Sequence, residues 1–546
     1  MRDRHHSSRW AEDARWRTLR TDRLVLALAR TPASMIRLLE ILPIFRGSPV
    51  QVLFAFDPTS AYNDGVEDLI RGKAKLVPWD EINSFDYDLA LTASENVSLD
   101  SVTSPVVVLP HGIGFHKDVP SSSSEETRTS GVVPARYLRD DRVSMVVSHP
   151  DQEKQLRLTH PETIGRCVVV GDTAFDSLVA SRPSRAYYRR KLGLRQGQRL
   201  VVVTSTWGQD SLFGARPDLP RRLLAELPAD EYRVALILHP NISSWHGDQR
   251  VDQDLAFSNL AGLLRIPAAQ GWHATVIAAD LIVGDNGSVT LYGAALDRPT
   301  LLGAVAPSIV PGTPPDEMAR NVAQISPDLP LREQVDRAID AHRPGRFDAL
   351  RDQMFAHQGT AIDTLRDLIF TKLDLRAPAG SAPLMAVPAA CPRVQEVRSF
   401  QVLARLVRSG HVELQRFPVP AAVRRERPGH VAHLCVSEDE PILAALENAS
   451  VIVRDAVADV DDAVRWIAEA LGAYESFMAV AAVDDGCVVG TRDGRSMRCI
   501  GSGLDPLLAG SGVYTLVRLD AAVEGPITIT AGGVRSEFSL RIGKVR

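Results

Sequence analysis

Residues 280–299, Asp-Leu-Ile-Val-Gly-Asp-Asn-Gly-Ser-Val-Thr-Leu-Tyr-Gly-Ala-Ala-Leu-Asp-Arg-Pro, constrain the fold of this chain more than any other stretch. Leu281 to Val283 is a short apolar run that reads as a buried strand. A polar turn, Gly284-Asp285-Asn286-Gly287-Ser288, follows it. Val289, Tyr292, Ala295 and Leu296 then recur at helical spacing, and Pro299 ends the helix. Gly287 leaves room for a ligand to approach the backbone, and Ser288 is placed to cap the helix or offer a hydroxyl. The free N–H groups of such a helix start favour an anion, typically a diphosphate. The plain alternative is an ordinary strand-to-helix connection with an Asx turn.

The same strand-and-helix alternation runs through most of the sequence. Strands are expected at Arg23 to Ala29, Val50 to Phe56, Leu89 to Thr92, Pro105 to Leu109, Val143 to Val147 and Cys167 to Val170, with a helix from Ala33 to Phe45. A second series gives strands at Leu200 to Val203, Arg233 to Leu238, Thr275 to Ala278, Leu281 to Val283 and Thr300 to Val305. This predicts an α/β protein built from two Rossmann-like units on one cleft. Ligands of such sheets bind beyond the carboxyl ends of the strands. His111 falls at one such end, after Pro105 to Leu109. His239 falls at another, after Leu236 to Leu238, and Thr206 lies in the polar turn after Val203. The polar turn Ala93-Ser94-Glu95-Asn96 closes the third strand. His116 reads as exposed, and His149, before Pro150, as a turn or helix-start residue.

Arg346 to Leu373 reads as helix interrupted at Gly359, and residues 377–393 as a Pro/Ala/Gly-rich linker. Beyond it the pattern changes to a mixed α+β region. Asp485-Gly486 and Asp493-Gly494 signal hairpins, Asp461 to Leu471 a helix, and Val513 to Arg518 and Pro526 to Ile529 strands. The expected organisation is an arm at 1–20, units at 21–185 and 186–345, closing helices at 346–376, the linker, and an α+β domain at 394–546 without recognisable chemistry.

Composition excludes several classes. The 546 residues carry a net charge of −5, so no bulk electrostatic case for nucleic acid exists. Five scattered cysteines without CxxC spacing favour free thiols in a reducing cytoplasm over disulfides or a zinc site. No metal-ligand cluster appears. No apolar run reaches membrane-spanning length. The arginines at 2, 4, 9, 15, 17 and 20 offer contact with an anionic membrane surface, although a solvated arm is the simpler expectation. Residues 120–131 are polar and low in complexity, which fits a surface insertion or a lid beside His111.

Several motifs occur in one order over about residues 20–375, and together they resemble the CDP-glycerol glycerophosphotransferase family of teichoic-acid polymerases and primases. Pro110-His111-Gly-Ile-Gly-Phe-His-Lys117 is similar to its HGT-x-x-K turn. Lys191-Leu-Gly-Leu194 with Val201 to Trp207 resembles KKLG…APTWR. Leu238-His239-Pro240 resembles RLHP, Asp280 to Ser288 resembles DVLITDYSS, and Leu296 to Pro299 matches LGRP. Phe355 to Ala361 resembles the DGKAS helix.

The resemblance implies a GT-B fold and a cytoplasmic enzyme peripheral to the inner membrane face. It needs no metal or separate cofactor, and it takes a nucleotide-activated donor such as CDP-glycerol. The acceptor would be a lipid-linked or polymeric cell-envelope molecule. His111 would be the catalytic base and His239 a catalytic residue on the donor diphosphate. Thr206, Asp285, Asn286, Gly287 and Ser288 would bind nucleotide and diphosphate. The chain departs from the family at Ile113, Gly208, Asn286 and Gly287 and lacks an Arg before the His-Pro pair, so groups that clamp a diphosphate are missing. A nucleotide-sugar glycosyltransferase or epimerase on the same fold, and an inactive GT-B scaffold acting as a binding module, remain alternatives.

Overall fold

A computed structural model describes residues 18–120, 127–139, 141–421, 426–521 and 524–543. Most of the N-terminal arm, and the polar insertion at 121–126, lie outside them. The first unit contains β1 (Arg23–Ala29), β2 (Val50–Phe56), β3 (Lys75–Leu76), β4 (Leu89–Thr92), β5 (Val106–Val108), the small hairpin β6 (Asp118–Pro120) and β7 (Thr127–Thr129), β8 (Val143–Val147) and β9 (Cys167–Val169). Seven of these form one parallel sheet in the order β3-β2-β1-β4-β5-β8-β9. Its strands read as nearly continuous apolar runs because helices cover both faces. Thr31 caps the helix Pro32–Ile41, where Pro32 supplies the preset φ of a first turn.

The second unit has β10 (Arg199–Ser205), β11 (Tyr232–Leu238), β12 (Leu264–Ile266), β13 (Leu281–Gly284) and β14 (Thr300–Leu302), all parallel, in the order β12-β11-β10-β13-β14. Asp280 fixes the entry to β13. Its carboxylate accepts from the Leu200 amide at 2.7 Å and pairs with Arg185 and Arg189 at 2.6 and 2.8 Å.

The run Thr275 to Ala278, expected as a strand, belongs to a helix, Trp272–Ala278. Gly271, at φ 106°, turns the chain into it, and Thr275 N–H bonds to Gly271 O. The missing strand is Leu264–Ile266. A buried four-residue apolar run fits either element, and only the turn at Gly271 decides.

The helix Ala361–Lys372 returns to the first unit. Leu365, Ile369 and Phe370 join the core beneath β1 and β4, and Arg23 donates to Leu373 O at 2.7 Å. Residues 377–393, expected as a linker, form no helix or strand but are anchored along their length. Tyr188 OH donates to Val387 O at 2.9 Å, Val387 N–H donates to Ser181 Oγ at 3.0 Å, and Ala390 is buried.

The C-terminal region has the expected mixed content in an arrangement that sequence did not suggest, a closed barrel. Its strands are β15 (Ser399–Arg408), β16 (His411–Pro418), β17 (Val431–Ser437), β18 (Val451–Ala458), β19 (Met478–Val483), β20 (Gly486–Thr491), β21 (Ser496–Ile500), β22 (Gly525–Ala531) and β23 (Val534–Ile542). The two Asp-Gly turns do join antiparallel strands, β19 to β20 and β20 to β21. Val513 to Arg518, expected as a strand, lies in the helix Pro506–Arg518. Every residue from Leu508 to Val517 is buried, because this helix fills the barrel. Burial on all sides removes the helical periodicity and leaves an apolar run that imitates a strand. The barrel is held to the second unit by Asp230, whose carboxylate receives Arg416 at 2.7 Å and Arg195 at 2.9 Å.

Candidate active site

Strand order reverses between β1 and β4 in the first sheet and between β10 and β13 in the second. At such a switch point the two following loops diverge and leave a crevice. Both crevices open onto one cleft of about 560 Å³. Arg30 and Thr31 follow β1, Ser94 to Asn96 follow β4, Thr206 and Trp207 follow β10, and Asp285 to Ser288 follow β13, and all of them line it. His111 after β5 and His239 after β11 line it too, so all seven candidate site residues meet in one place.

Meeting there does not give them equal freedom. Asp285 is fully buried. Its Oδ2 accepts from the Thr206 amide and hydroxyl, both at 2.8 Å, and from Leu212 N–H at 3.0 Å, while its Oδ1 accepts from Gly287 N–H at 3.0 Å. A carboxylate with four donors is committed to joining the β10 and β13 loops. Asp285 and the Thr206 hydroxyl therefore shape the site and leave the ligand to other groups. Asn286 Oδ1 is likewise engaged, by Ala306 N–H at 3.0 Å. Gly287 is needed for space, since a Cβ there would lie 2.3 Å from Thr206 Cγ2, and its φ of −78° is ordinary.

What this network presents to the cleft is backbone. Gly287, with no side-chain cap, precedes the helix Ser288–Ala295, and the first intrahelical bond runs from Leu291 N–H to Gly287 O at 3.1 Å. The amides of Ser288, Val289 and Thr290 thus have no partner within the helix. Ser288 does not cap; its Oγ accepts from Ile113 N–H at 3.2 Å, across the cleft. A Cβ on Gly112 would come within 2.5 Å of that oxygen. The turn carrying His111 therefore touches the anion-binding helix start directly.

His239 caps the helix Pro240–His246 with Nδ1, which accepts from Asn241 N–H at 3.1 Å. That bond places the ring hydrogen on Nε2. Burial first, then the nearby His111 and Lys117, lower its pKa to about 3. At neutral pH His239 is an uncharged donor. His116 donates Nδ1–H to Gly114 O at 2.8 Å, and it is half-buried where an exposed residue was expected; burial lowers its pKa to about 4, so it is neutral at pH 7. His149 caps the helix Pro150–Thr159 through Nδ1.

Sequence reasoning found His111 but passed over the other charged groups that the first unit contributes. Glu95 is 6% exposed and receives Arg128 at 2.9 Å. Burial would raise its pKa, but attraction to His111 and Arg128 outweighs burial and holds the carboxyl below its usual range. The register explains the proximity to His111. Thr92 pairs with Val108 on adjacent strands, and Glu95 and His111 each lie three residues further on. The strand-end position of Glu95 was a signal that could have found it. Arg37 is buried and salt-bridged to Glu40 at 3.4 Å and Asp172 at 3.6 Å. Asp172 also accepts from Tyr292 OH at 2.8 Å, which ties the two units across the cleft floor. Lys117 lines the cleft, and among the described residues no carboxylate pairs with it. Lys117 and Arg128 thus bring positive charge to the first unit's side of the cleft.

No family model matches the sequence, and no curated protein sequence matches it. Among solved structures, the wall teichoic acid polymerase TagF is similar at 15% identity, over 65% of this chain and 90% of that one, with a TM-score of 0.41. MnaA of S. aureus in complex with UDP is similar at 13%, over 66% and 100%, with a TM-score of 0.42. The UDP-GlcNAc 2-epimerase of Methanocaldococcus jannaschii is similar at 14%, over 64% and 99%, with a TM-score of 0.38. Among the described residues no helix is long and apolar enough to cross a membrane, and no group of His, Cys, Asp and Glu could hold a metal ion.

Proposed function

We propose that this protein is a GT-B-type transferase that moves a group from a nucleotide-activated donor to an acceptor hydroxyl. The observation that carries the reading is the direct contact of the His111 turn with the start of the helix Ser288–Ala295. A base and a set of unpaired amides then face the same small volume.

The chemistry follows from their types. His111 takes the proton of the acceptor hydroxyl, whose oxygen attacks the donor and forms the new bond. The bond from the transferred group to the leaving nucleotide phosphate breaks, and negative charge collects on that phosphate. The amides of Ser288 and Val289, which line the cleft at the positive end of a helix, stabilise the charge together with Nε2–H of His239. Asp285 and Thr206 hold these donors in place. With CDP-glycerol, the donor that the sequence motifs suggest, the new bond is to phosphorus, CMP leaves, and the acceptor is a lipid-linked or polymeric cell-envelope molecule.

Calorimetric titration with CDP-glycerol, CMP, UDP and UDP-sugars tests the reading. Binding of a cytidine nucleotide that Ser288→Ala weakens supports the glycerophosphotransferase form. Binding of uridine nucleotides alone moves the assignment to a glycosyltransferase or epimerase. No binding at millimolar concentration, where affinity is about −4 kcal/mol, removes the transferase reading and leaves a binding module.

A further inference from the structure

Beside His239 the cleft has a corner that the phosphate chemistry above does not use. Tyr62, from the loop after β2, and Trp207, from the loop after β10, line it with ring centroids 5.2 Å apart. Trp245 packs on Tyr62 at 5.3 Å and is 58% exposed. Together the three rings form a clustered aromatic surface, the kind that marks an interaction site. Asn241 lines the same corner and is 7% exposed, and its Oδ1 has no hydrogen-bond partner among the described residues. A buried acceptor left open is rare and calls for a donor.

The two features together define a ligand. Aromatic faces take an apolar surface, and an amide oxygen takes an O–H or N–H. A phosphate has neither an apolar face nor, when ionised, a proton to give. A hexose ring has both, an apolar C–H face and a rim of hydroxyl donors. The position is also informative. Trp207 lies 6.4 Å from the His239 ring, so the corner adjoins the diphosphate donors directly. A sugar bonded to a diphosphate adjoins it in the same way, whereas a nucleobase is held off by its ribose.

We propose that the corner framed by Tyr62, Trp207 and Asn241 is a subsite for a hexose ring, carried by the donor or by the acceptor. The assignment rests on reading His239 and the amides of Ser288 and Val289 as the diphosphate site.

The test is calorimetry on the full chain and on Tyr62→Leu and Asn241→Ala, with UDP, a panel of UDP-glucose, UDP-galactose and UDP-N-acetylglucosamine, and methyl glucosides added to UDP-saturated protein. A donor ring makes one UDP-sugar bind about tenfold more tightly than UDP. An acceptor ring instead makes a methyl glycoside bind in the presence of UDP. In either case both variants abolish the gain and leave UDP within twofold of its original affinity. Tyr62→Leu, at a half-buried loop position, keeps the test usable if Asn241→Ala does not fold. If UDP binds and no ring adds affinity, the subsite is wrong and the diphosphate reading stands. If the variants weaken UDP as much as UDP-sugar, the corner holds the nucleotide and the subsite is wrong. If neither UDP nor any glycoside binds, the subsite is wrong, and titration with CMP and CDP-glycerol decides the diphosphate reading separately.

Discussion

The two walls of the cleft are built on the same plan and do opposite things. Each is the switch point of a parallel sheet. In the second unit the polar side chains at the strand ends, Asp285, Thr206 and Asn286, bond to neighbouring loops of the same unit and leave backbone amides facing the cleft. In the first unit the backbone is less prominent and side chains reach the cleft: His111, Lys117, and the Glu95–Arg128 pair. A fixed amide cradle suits an anion whose charge develops in one place, because it needs no reorganisation. Titratable side chains suit a proton that must be moved. The same fold thus supplies both kinds of group by spending its strand-end polar residues differently.

That contrast can be broken from either side. The largest expected effect is on the first wall. His111→Ala should lower turnover about 100- to 10,000-fold, the range of a general base, while nucleotide affinity measured by calorimetry stays within a factor of two or so. Loss of nucleotide binding in that variant would make His111 part of the cradle and erase the distinction between the walls.

On the second wall, Asp285→Ala leaves the Thr206, Leu212 and Gly287 amides without their acceptor. It should cost about 3 kcal/mol in a urea unfolding curve, since each buried donor left unpaired costs roughly 1–3 kcal/mol. A loss below about 1 kcal/mol would mean that the carboxylate is free for ligand after all.

A smaller effect is expected where the walls touch. Ser288→Ala removes one neutral hydrogen bond, to Ile113, worth about 1 kcal/mol. Proteolysis at the cleft loops should quicken modestly, with the midpoint of global unfolding nearly unchanged.

The smallest effect concerns protons. His239 and His116 have folded pKa values of about 3 and about 4, below the ordinary 6.5. Between those limits the unfolded chain binds more protons than the folded one, so stability falls as pH drops from about 6.5 towards 3. Melting temperatures at pH 7 and pH 5 should show this decline, and His239→Gln should make it shallower. An equal decline in that variant would show that His239 does not govern it.

Much of the α/β pair was legible in the sequence because parallel strands are short apolar runs that end in polar turns. Their ends point to the ligand side whatever the residues in between. His111, His239 and the loop 285–288 were found that way. The two misread runs, Thr275 to Ala278 and Val513 to Arg518, are helices buried on every side, where the pattern that separates helix from strand disappears. The turn carrying Glu95 was visible as a polar strand end, but its place beside His111 depends on the register of β4 against β5, which no local pattern encodes. The barrel escaped because closure depends on the pairing of β16 with β22, over a hundred residues apart.

The sequence by itself determined the alternation of strands and helices and the polar strand ends. These follow from local backbone preference and from burial counted one residue at a time. Only the tertiary structure decided which polar groups were already satisfied and which remained for a ligand. Asp285 and Asn241 are both polar residues shortly after a strand, yet one has four donors and the other has an oxygen with none among the described residues. Hydrogen bonding is short-ranged and directional, so the difference exists only once distant segments have been brought within about 3 Å of each other.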